Sequence, residues 1–197
     1  MHPENNFLIE FDKIPEEQAK RAKMMIVSYP LNPVCVTAPD SFYEELITLR
    51  RNTISSFCMT MLIQILFIGR QVGKSFLAFE GAKEVGVEFY SLSKSYNYTG
   101  ARMSFVVGNQ AIIDRFKCVR SQIDYGIFLP VQYGAVAALT GPQDAVKAQC
   151  EEYDRRNHAL SEGLTSIGWR VPLSQGTMFH GHRFRMVLRI PMILLWN

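Results

Sequence analysis

The sequence predicts an α/β fold, a mostly parallel sheet with helices on both faces. Two observations carry that prediction. Short apolar runs of strand length are bounded by proline, glycine and polar residues, and longer stretches with apolar residues at three- and four-residue spacing lie between them. The two kinds alternate along the chain, the order in which a helix carries one strand to a parallel neighbour.

The run Met24-Met25-Ile26-Val27-Ser28-Tyr29-Pro30 stops at a proline and reads as a buried strand. A helix is expected from Ser41 to Arg51, capped by Asp40 or Ser41, with Phe42, Leu46, Ile47 and Leu49 on a partly apolar face. Val87 to Leu92 and Arg102 to Val107 are the next strands. Asn109 or Gln110 starts a helix through about Ile123, and Val131 to Leu139 is a short alanine-rich helix. Pro142 to Ile167 is the clearest long helix. Pro142 suits its first turn, and Val146, Cys150, Tyr153, Asn157, Leu160, Leu164 and Ile167 recur as one mostly apolar stripe. Gly168 ends it, and Trp169-Arg170-Val171 begins a further strand.

A chain of 197 residues fits one domain and part of another. Its 48% hydrophobic and 20% charged residues are ordinary for a globular protein. The net charge of +3 is small and the basic residues are scattered, so no nucleic-acid partner is expected. The four cysteines, Cys35, Cys58, Cys118 and Cys150, are far apart. Neither a metal site nor a disulfide framework is indicated, and reduced thiols in the cytoplasm are the simplest reading. Cys118 and Cys150 fall on predicted helices and are expected to be buried small apolar groups. Residues 1–13 are polar and acidic, unlike a signal peptide. The apolar stretch Ile54 to Ile68 is shorter than the roughly 20 residues of a membrane helix. It also contains Ser55, Ser56, Thr60 and Gln64, so no membrane partner is expected.

The chemistry sits in Ser91-Leu92-Ser93-Lys94-Ser95-Tyr96-Asn97-Tyr98-Thr99-Gly100-Ala101-Arg102. A lysine stands directly after a predicted buried strand, flanked by hydroxyls. Arg102 opens the next strand, and Gly100 permits a tight turn between them. Schiff-base chemistry needs an amine that is partly neutral, and burial disfavours the charged form. An arginine grips a phosphate through two parallel hydrogen bonds, and a serine hydroxyl adds another. One loop thus has the groups to hold both ends of a phosphorylated aldehyde. On pattern alone, Ser-x-Ser-Lys is short and common and favours a surface loop with a solvated lysine.

The stretch from Ser91 to Gly108 resembles the lysine signature of class I and II aminotransferases, including its Tyr-Asn-x-x-Gly-x-Arg continuation. Glu80-Gly81-Ala82-Lys83-Glu84-Val85-Gly86-Val87-Glu88-Phe89 resembles the same family, in the branch of LL-diaminopimelate and related aspartate or alanine aminotransferases. Tyr29-Pro30-Leu31-Asn32-Pro33 is similar to the family's Tyr-Pro-x-Asn-Pro, and Gly163-Leu164 through Gly168-Trp169 to the start of its small domain. The resemblance implies the fold of type I pyridoxal-phosphate-dependent transferases. Residues 1–167 would be a partial large domain, and residues 168–197 the start of a small α/β domain. It implies pyridoxal 5'-phosphate as cofactor, held covalently by Lys94, which would also move the proton between substrate and cofactor. Arg102 and Ser91 would bind the cofactor phosphate, with Ser93 as a weaker cofactor contact. Asn32 would hydrogen-bond the ring hydroxyl oxygen. The implied reaction is amino-group transfer between an amino acid and a 2-oxo acid, in a homodimer.

The chain departs from the family in four places. Val34-Cys35 follows the Asn-Pro motif where Thr-Gly is usual. The family's Asp-x-x-Tyr, whose aspartate pairs with the pyridinium nitrogen, is missing: no Asp or Tyr occurs from Arg51 to Ile68. Cys58 to Gln64 can be encoded TGC ATG ACA ATG CTT ATT CAG, and reading from the third base gives His-Asp-Asn-Ala-Tyr-Ser, the family motif in a shifted frame. Residues 180–197 are unlike the family. Suitable codons for His180 to Arg185 hide Trp-Ala-Pro-Ile-Pro, so this tail reads as out of frame and His180 and His182 carry no functional weight. Finally, family members are expected to be roughly twice as long, with the glycine-rich front of the large domain and the substrate-binding arginine outside this chain.

Two rival readings remain. Gly69-Arg70-Gln71-Val72-Gly73-Lys74-Ser75 approaches a phosphate loop but has one residue too few between its glycines; the bland reading is a surface turn with a solvated Lys74. The stronger rival is a non-catalytic aminotransferase remnant from a disrupted reading frame, with at most residual cofactor binding.

Overall fold

The computed structural model describes residues 3–30, 32, 35–52, 58–61 and 74–181. The helices are α1 (Glu16–Arg21), α2 (Asp40–Asn52), α3 (Ala82–Val85), α4 (Leu92–Ser95), α5 (Gln110–Arg120), α6 (Leu129–Thr140) and α7 (Asp144–Ser166). The strands are β1 (Met25–Val27), β2 (Cys58–Met61), β3 (Gly86–Ser91) and β4 (Ser104–Gly108). They form one sheet in the order β1-β2-β3-β4. β1, β2 and β3 run parallel, with Val27 level with Thr60 and Thr60 level with Glu88. β4 is antiparallel to β3, with Ser91 opposite Ser104. The sheet is thus mostly parallel, as the alternation of elements predicts. Its antiparallel edge arises because only a tight loop, not a crossover helix of normal length, joins β3 to β4.

Alternate residues of a strand face opposite sides of a sheet. On β3, Phe89 packs its ring edge-on against Phe116 of α5, with centroids 5.7 Å apart. Its neighbour Glu88 is buried beside Ser75 and Tyr43 of α2. Helices therefore cover both faces. The main core lies on the α2 side and comprises Phe11, Val27, Tyr29, Phe42, Tyr43, Leu46, Ile47, Phe76, Ala82 and Val85. Phe42, Tyr43, Leu46 and Ile47 recur at the spacing that makes one helical face. Phe42 meets both Phe11 and Tyr29 at 4.9 Å between ring centroids. β1 is shorter than the run that predicts it, and Ile26 on it is exposed.

Two junctions fix the β3–β4–α5 unit. Gly108 has φ +131°, and a Cβ there would stand 2.6 Å from Gly86 O and 2.8 Å from Val87 Cα, so only glycine allows the strands this approach. Asn109 caps α5: its Oδ1 accepts from Ile112 N at 3.2 Å, and its Nδ2 donates to Lys83 O and Glu84 O, each at 3.1 Å.

The long helix α7 ends as predicted. Gly168 takes φ +81°, Gly168 N donates to Thr165 O and Trp169 N to Leu164 O, both at 2.9 Å, closing the helix in a Schellman arrangement. Its stripe is corrected: Leu160 and Ile167 are exposed, and the buried residues are the polar Asn157 and Ser161. The expected strand at Trp169 to Val171 is absent; the segment is irregular because side chains of α7 satisfy its backbone. Ser161 Oγ donates to Val171 O at 2.5 Å, and Asn157 exchanges hydrogen bonds with Ser174, Nδ2 to O at 3.1 Å and N to Oδ1 at 3.3 Å. Cys118 is exposed and Cys150 half-buried, not buried as expected, because α5 and α7 show those faces to solvent. On the solvated face of α7, Glu152 pairs with Arg155 at 2.8 Å and Arg156 at 2.6 Å, and both hold its carboxyl down at about 2.

Among the described residues no helix is long and apolar enough to cross a membrane. Residues 69–73 of the phosphate-loop reading lie outside the described residues. Ser75 opens a three-residue 3-10 turn, Phe76–Ala78, where a phosphate loop requires an α-helix. Lys74 is exposed and paired with Asp40.

Candidate active site

Lys94 lies on the single turn α4, which starts where β3 ends. Ser91 makes that switch. Its backbone is extended, and its Oγ accepts from Ser93 N at 3.2 Å, so the strand breaks into a helical turn at this residue. Accepting that bond leaves the Ser91 hydroxyl its own hydrogen to donate. The loop beyond is tied down residue by residue. Thr99 Oγ1 donates to Ser93 O at 2.7 Å, Tyr98 OH to Val131 O at 3.3 Å, and Tyr96 OH to Gln143 Oε1 at 2.9 Å. Gln149 of α7 donates to Lys94 O and to Asn97 Oδ1, each at 3.1 Å. Tyr96 and Asn97 thus shape the loop.

Arg102 comes back to the same place through strand register. Leu92 N donates to Met103 O at 3.3 Å, and Ser91 pairs with Ser104. Arg102 therefore stands beside the β3–α4 junction, exposed, with Nη1 donating to Thr99 O at 3.1 Å. It does not open a strand: β4 begins at Ser104, and Arg102 holds a left-handed φ of 55° at the end of a 3-10 turn. Gly100, expected to supply the turn, is not among the positive-φ glycines; Asn97 and Arg102 carry the left-handed backbone instead. Asn32 is exposed in the turn after β1. Because β1 and β3 are both parallel to β2, the chain leaves β1 toward Asn32 and β3 toward Lys94 at the same, carboxyl end of the sheet. That is where open α/β sheets bind ligands.

Lys94 is half-buried, short of the full burial that the Schiff-base argument assumes. It stands at the carboxyl end of β3, and its Nζ lies 6.0 Å from the centroid of the Phe179 ring. Nearby titrations follow burial. Tyr90 is raised by desolvation, partly offset by its hydrogen bond to Ser95, and Glu88 is raised by desolvation against the bonds it accepts from Ser75 and Leu77. Sequence reasoning missed Phe179 and its anchors Cys35 and Thr177, which meet only through the fold.

The donor set at this sheet end is an amine, two serine hydroxyls, an exposed guanidinium and an amide. The model of the family described as aminotransferase class I and II matches residues 1–190. The chain belongs to that aminotransferase family. Among curated aminotransferases, the LL-diaminopimelate aminotransferase of Halothermothrix orenii is 39% identical over 176 residues, 89% of this chain and 45% of that protein. That of Syntrophobacter fumaroxidans is 40% identical over 176 residues, with the same coverage of 89% and 45%. The chain thus spans a little under half the length of these curated relatives. Among solved aminotransferase-like structures, substrate-bound BacF from Bacillus subtilis superposes with a TM-score of 0.90 at 29% identity, over 94% of this chain and 47% of that one. A probable N-succinyldiaminopimelate aminotransferase from Thermus thermophilus gives 0.84 at 28%, over 92% and 49%. The fold is therefore that of the aminotransferases, type I, as the lysine signature implies.

Proposed function

We propose that this chain carries the lysine half of the active site of a pyridoxal-phosphate-dependent transaminase, which moves an amino group between an amino acid and a 2-oxo acid. The observation that carries the reading is the convergence of Lys94, Ser91 and Arg102 at the junction of β3 and β4, at the same carboxyl end of the parallel strands as Asn32. When bound, pyridoxal 5'-phosphate supplies the electron sink for this chemistry. The residues present fit its phosphate end: the Ser91 hydroxyl has a hydrogen to give, and the exposed Arg102 guanidinium is planar and matched to phosphate. Ser93 supplies a second, weaker hydroxyl contact at that end. Lys94 would hold the cofactor covalently and would be the base that moves a proton at the substrate α-carbon. Asn32 would hydrogen-bond the ring hydroxyl oxygen. The relatives' names point to diaminopimelate-type substrates. We place that reaction in amino acid biosynthesis in the cytoplasm, with residues 1–167 as the cofactor domain, 168–197 as the start of a second, and the whole protein as a homodimer.

A second reading is favoured by one observation: from Leu46 to Phe79 the chain has no Asp or Glu, so no acidic partner for the ring nitrogen comes from β2 or from the sequence flanking it. In that reading the chain as written binds the cofactor and turns over little or no substrate. The test is to incubate the purified chain with pyridoxal phosphate, reduce with borohydride and digest. The expected result is a cofactor-sized mass increase on the Lys94 peptide, lost in Lys94→Ala. Turnover of amino acid plus 2-oxo acid by the same preparation then decides between the two readings. Absence of any label on Lys94 would sink both.

A further inference from the structure

Phe179 reaches Lys94 from the irregular segment after α7, and its backbone is held on two sides. Cys35 Sγ donates to Phe179 O at 2.9 Å. Phe179 N donates to Thr177 Oγ1 at 2.9 Å. The Thr177 hydroxyl lies 3.0 Å from Cys35 Sγ and 3.1 Å from Phe179 O; with one hydrogen it donates to one of them at a time. Cys35 is 2% exposed and Thr177 fully buried. Thr177 N in turn donates to Ser174 Oγ at 3.0 Å, and Ser174 is bonded to Asn157 of α7. The same segment is pressed onto the loop after β1: Gln175 N donates to Cys35 O at 3.1 Å, Gln175 Oε1 accepts from Thr37 N and Oγ1 at 3.0 Å, and a Cβ on Gly176 would come within 3.1 Å of Pro30 Cγ and Thr37 Cγ2.

We propose that Phe179, clamped by Cys35 and Thr177, is the wall of the Lys94 site: a positioning residue that covers one side of the amine and decides what reaches it. The face of an aromatic ring attracts an ammonium, so the ring holds the amine in place while its carbon edge keeps water off that side. A carbonyl compound then has to approach Lys94 from a side that Phe179 does not cover. The clamp also couples two parts of the site, because the loop that carries Asn32 and the segment that carries Phe179 share the Cys35–Thr177 contact. This inference rests on the proposed role of Lys94 and adds to it the residue that shapes its surroundings.

The test uses two amine probes on the full chain. An acetylating reagent, read by mass spectrometry, reports access to Lys94 relative to the exposed Lys117 of α5 without any cofactor. Phe179→Leu and Thr177→Val are expected to raise acetylation of Lys94 about two- to fivefold, the loss of one cation–π contact, with Lys117 unchanged. Phe179→Tyr and Thr177→Ser, which keep the ring and the hydroxyl, are expected to restore the wild-type ratio. General loosening would raise protected lysines together and would not be rescued by these conservative changes. Pyridoxal phosphate with borohydride is the second probe, and the visible band of the bound cofactor is expected to shift in Phe179→Leu and not in Phe179→Tyr. Equal acetylation of Lys94 in wild type, Phe179→Leu and Thr177→Val overturns the wall. A wild-type chain that takes no cofactor at Lys94, yet shows the acetylation pattern, keeps the wall and removes the cofactor reading.

Discussion

Glu88 is a carboxylate buried on β3, 4% exposed, and among the described residues Ser75 and the Leu77 amide stabilise its charge. Desolvation raises its pKa above the usual carboxylate value. A raised folded-state value means that the native chain binds the proton more tightly than the unfolded chain. Stability contributed by the protonated form is therefore full below the ordinary value of 4.5 and is lost as pH rises through the raised one. Glu88→Gln keeps an acceptor for Leu77 and removes the charge, so its urea midpoint is expected to exceed that of wild type at pH 8 and to vary less between pH 5 and pH 8. A mutant midpoint below wild type at pH 8 would refute this account. Cys35 offers a second residue-scale test. It holds a left-handed φ of 62°, which costs a non-glycine residue roughly 1–2 kcal/mol, at the position where the family has glycine. Cys35→Gly relieves that cost and gives up a buried thiol of similar worth, so stability is expected to stay within about 1 kcal/mol. Access to Lys94 should nonetheless rise, because Phe179 loses one of its two anchors; denaturant titration and lysine acetylation on the same sample read the two effects. These residues also show what the sequence exposes. Ser91, Lys94 and Arg102 are close in the chain and belong to one loop, so their spacing is their geometry. Cys35 and Thr177 are 142 residues apart, and no local pattern joins them.

At the scale of elements, Gly108 and Asn109 form the joint on which β3, β4 and α5 turn. Gly108→Ala must push a methyl into the β3 backbone at Gly86 and Val87, and a loss of about 1–3 kcal/mol is expected. Asn109→Ala removes the helix cap and the two bonds to α3, with an expected loss of about 1–2 kcal/mol. Both are measured as shifts in the denaturant midpoint; a Gly108→Ala protein as stable as wild type would mean that the strands can part without cost. The helix beginning at Asn109 or Gln110 was legible because an asparagine cap is a local device. So was the end of α7, where Gly168 supplies the left-handed residue that closes a helix. The strand at Trp169 was not, because an extended apolar tripeptide forms a strand only beside a partner. Here Ser161 and Asn157 take its backbone groups first. Asn157 itself sits on the predicted apolar stripe, and spacing alone could not tell that its burial serves two hydrogen bonds to Ser174.

At the scale of the whole molecule, burial is lopsided. The α2 side of the sheet is packed with aromatic and aliphatic side chains, whereas α5 buries none of its residues and α6 buries only Ala135. Ile123, Phe128 and Tyr133 lie close in the chain and are 77%, 74% and 67% exposed, with Tyr125, Leu129 and Val136 exposed beside them. Large apolar side chains exposed this densely along one stretch of chain favour association in water. The chain on its own is therefore expected to self-associate at micromolar concentration, and replacing Phe128 and Tyr133 by lysine should lower its sedimentation coefficient while leaving the core and Lys94 in place. The form of the association separates two causes. A dimer like that expected of the whole protein gives one discrete species of twice the mass, with a concentration-independent shape. Unspecific contact through the same patch gives a continuous ladder that grows with concentration and disperses at low urea. A wild-type chain that stays monomeric across that range would show that these side chains find cover within the molecule, and would remove the basis for placing a partner on this face.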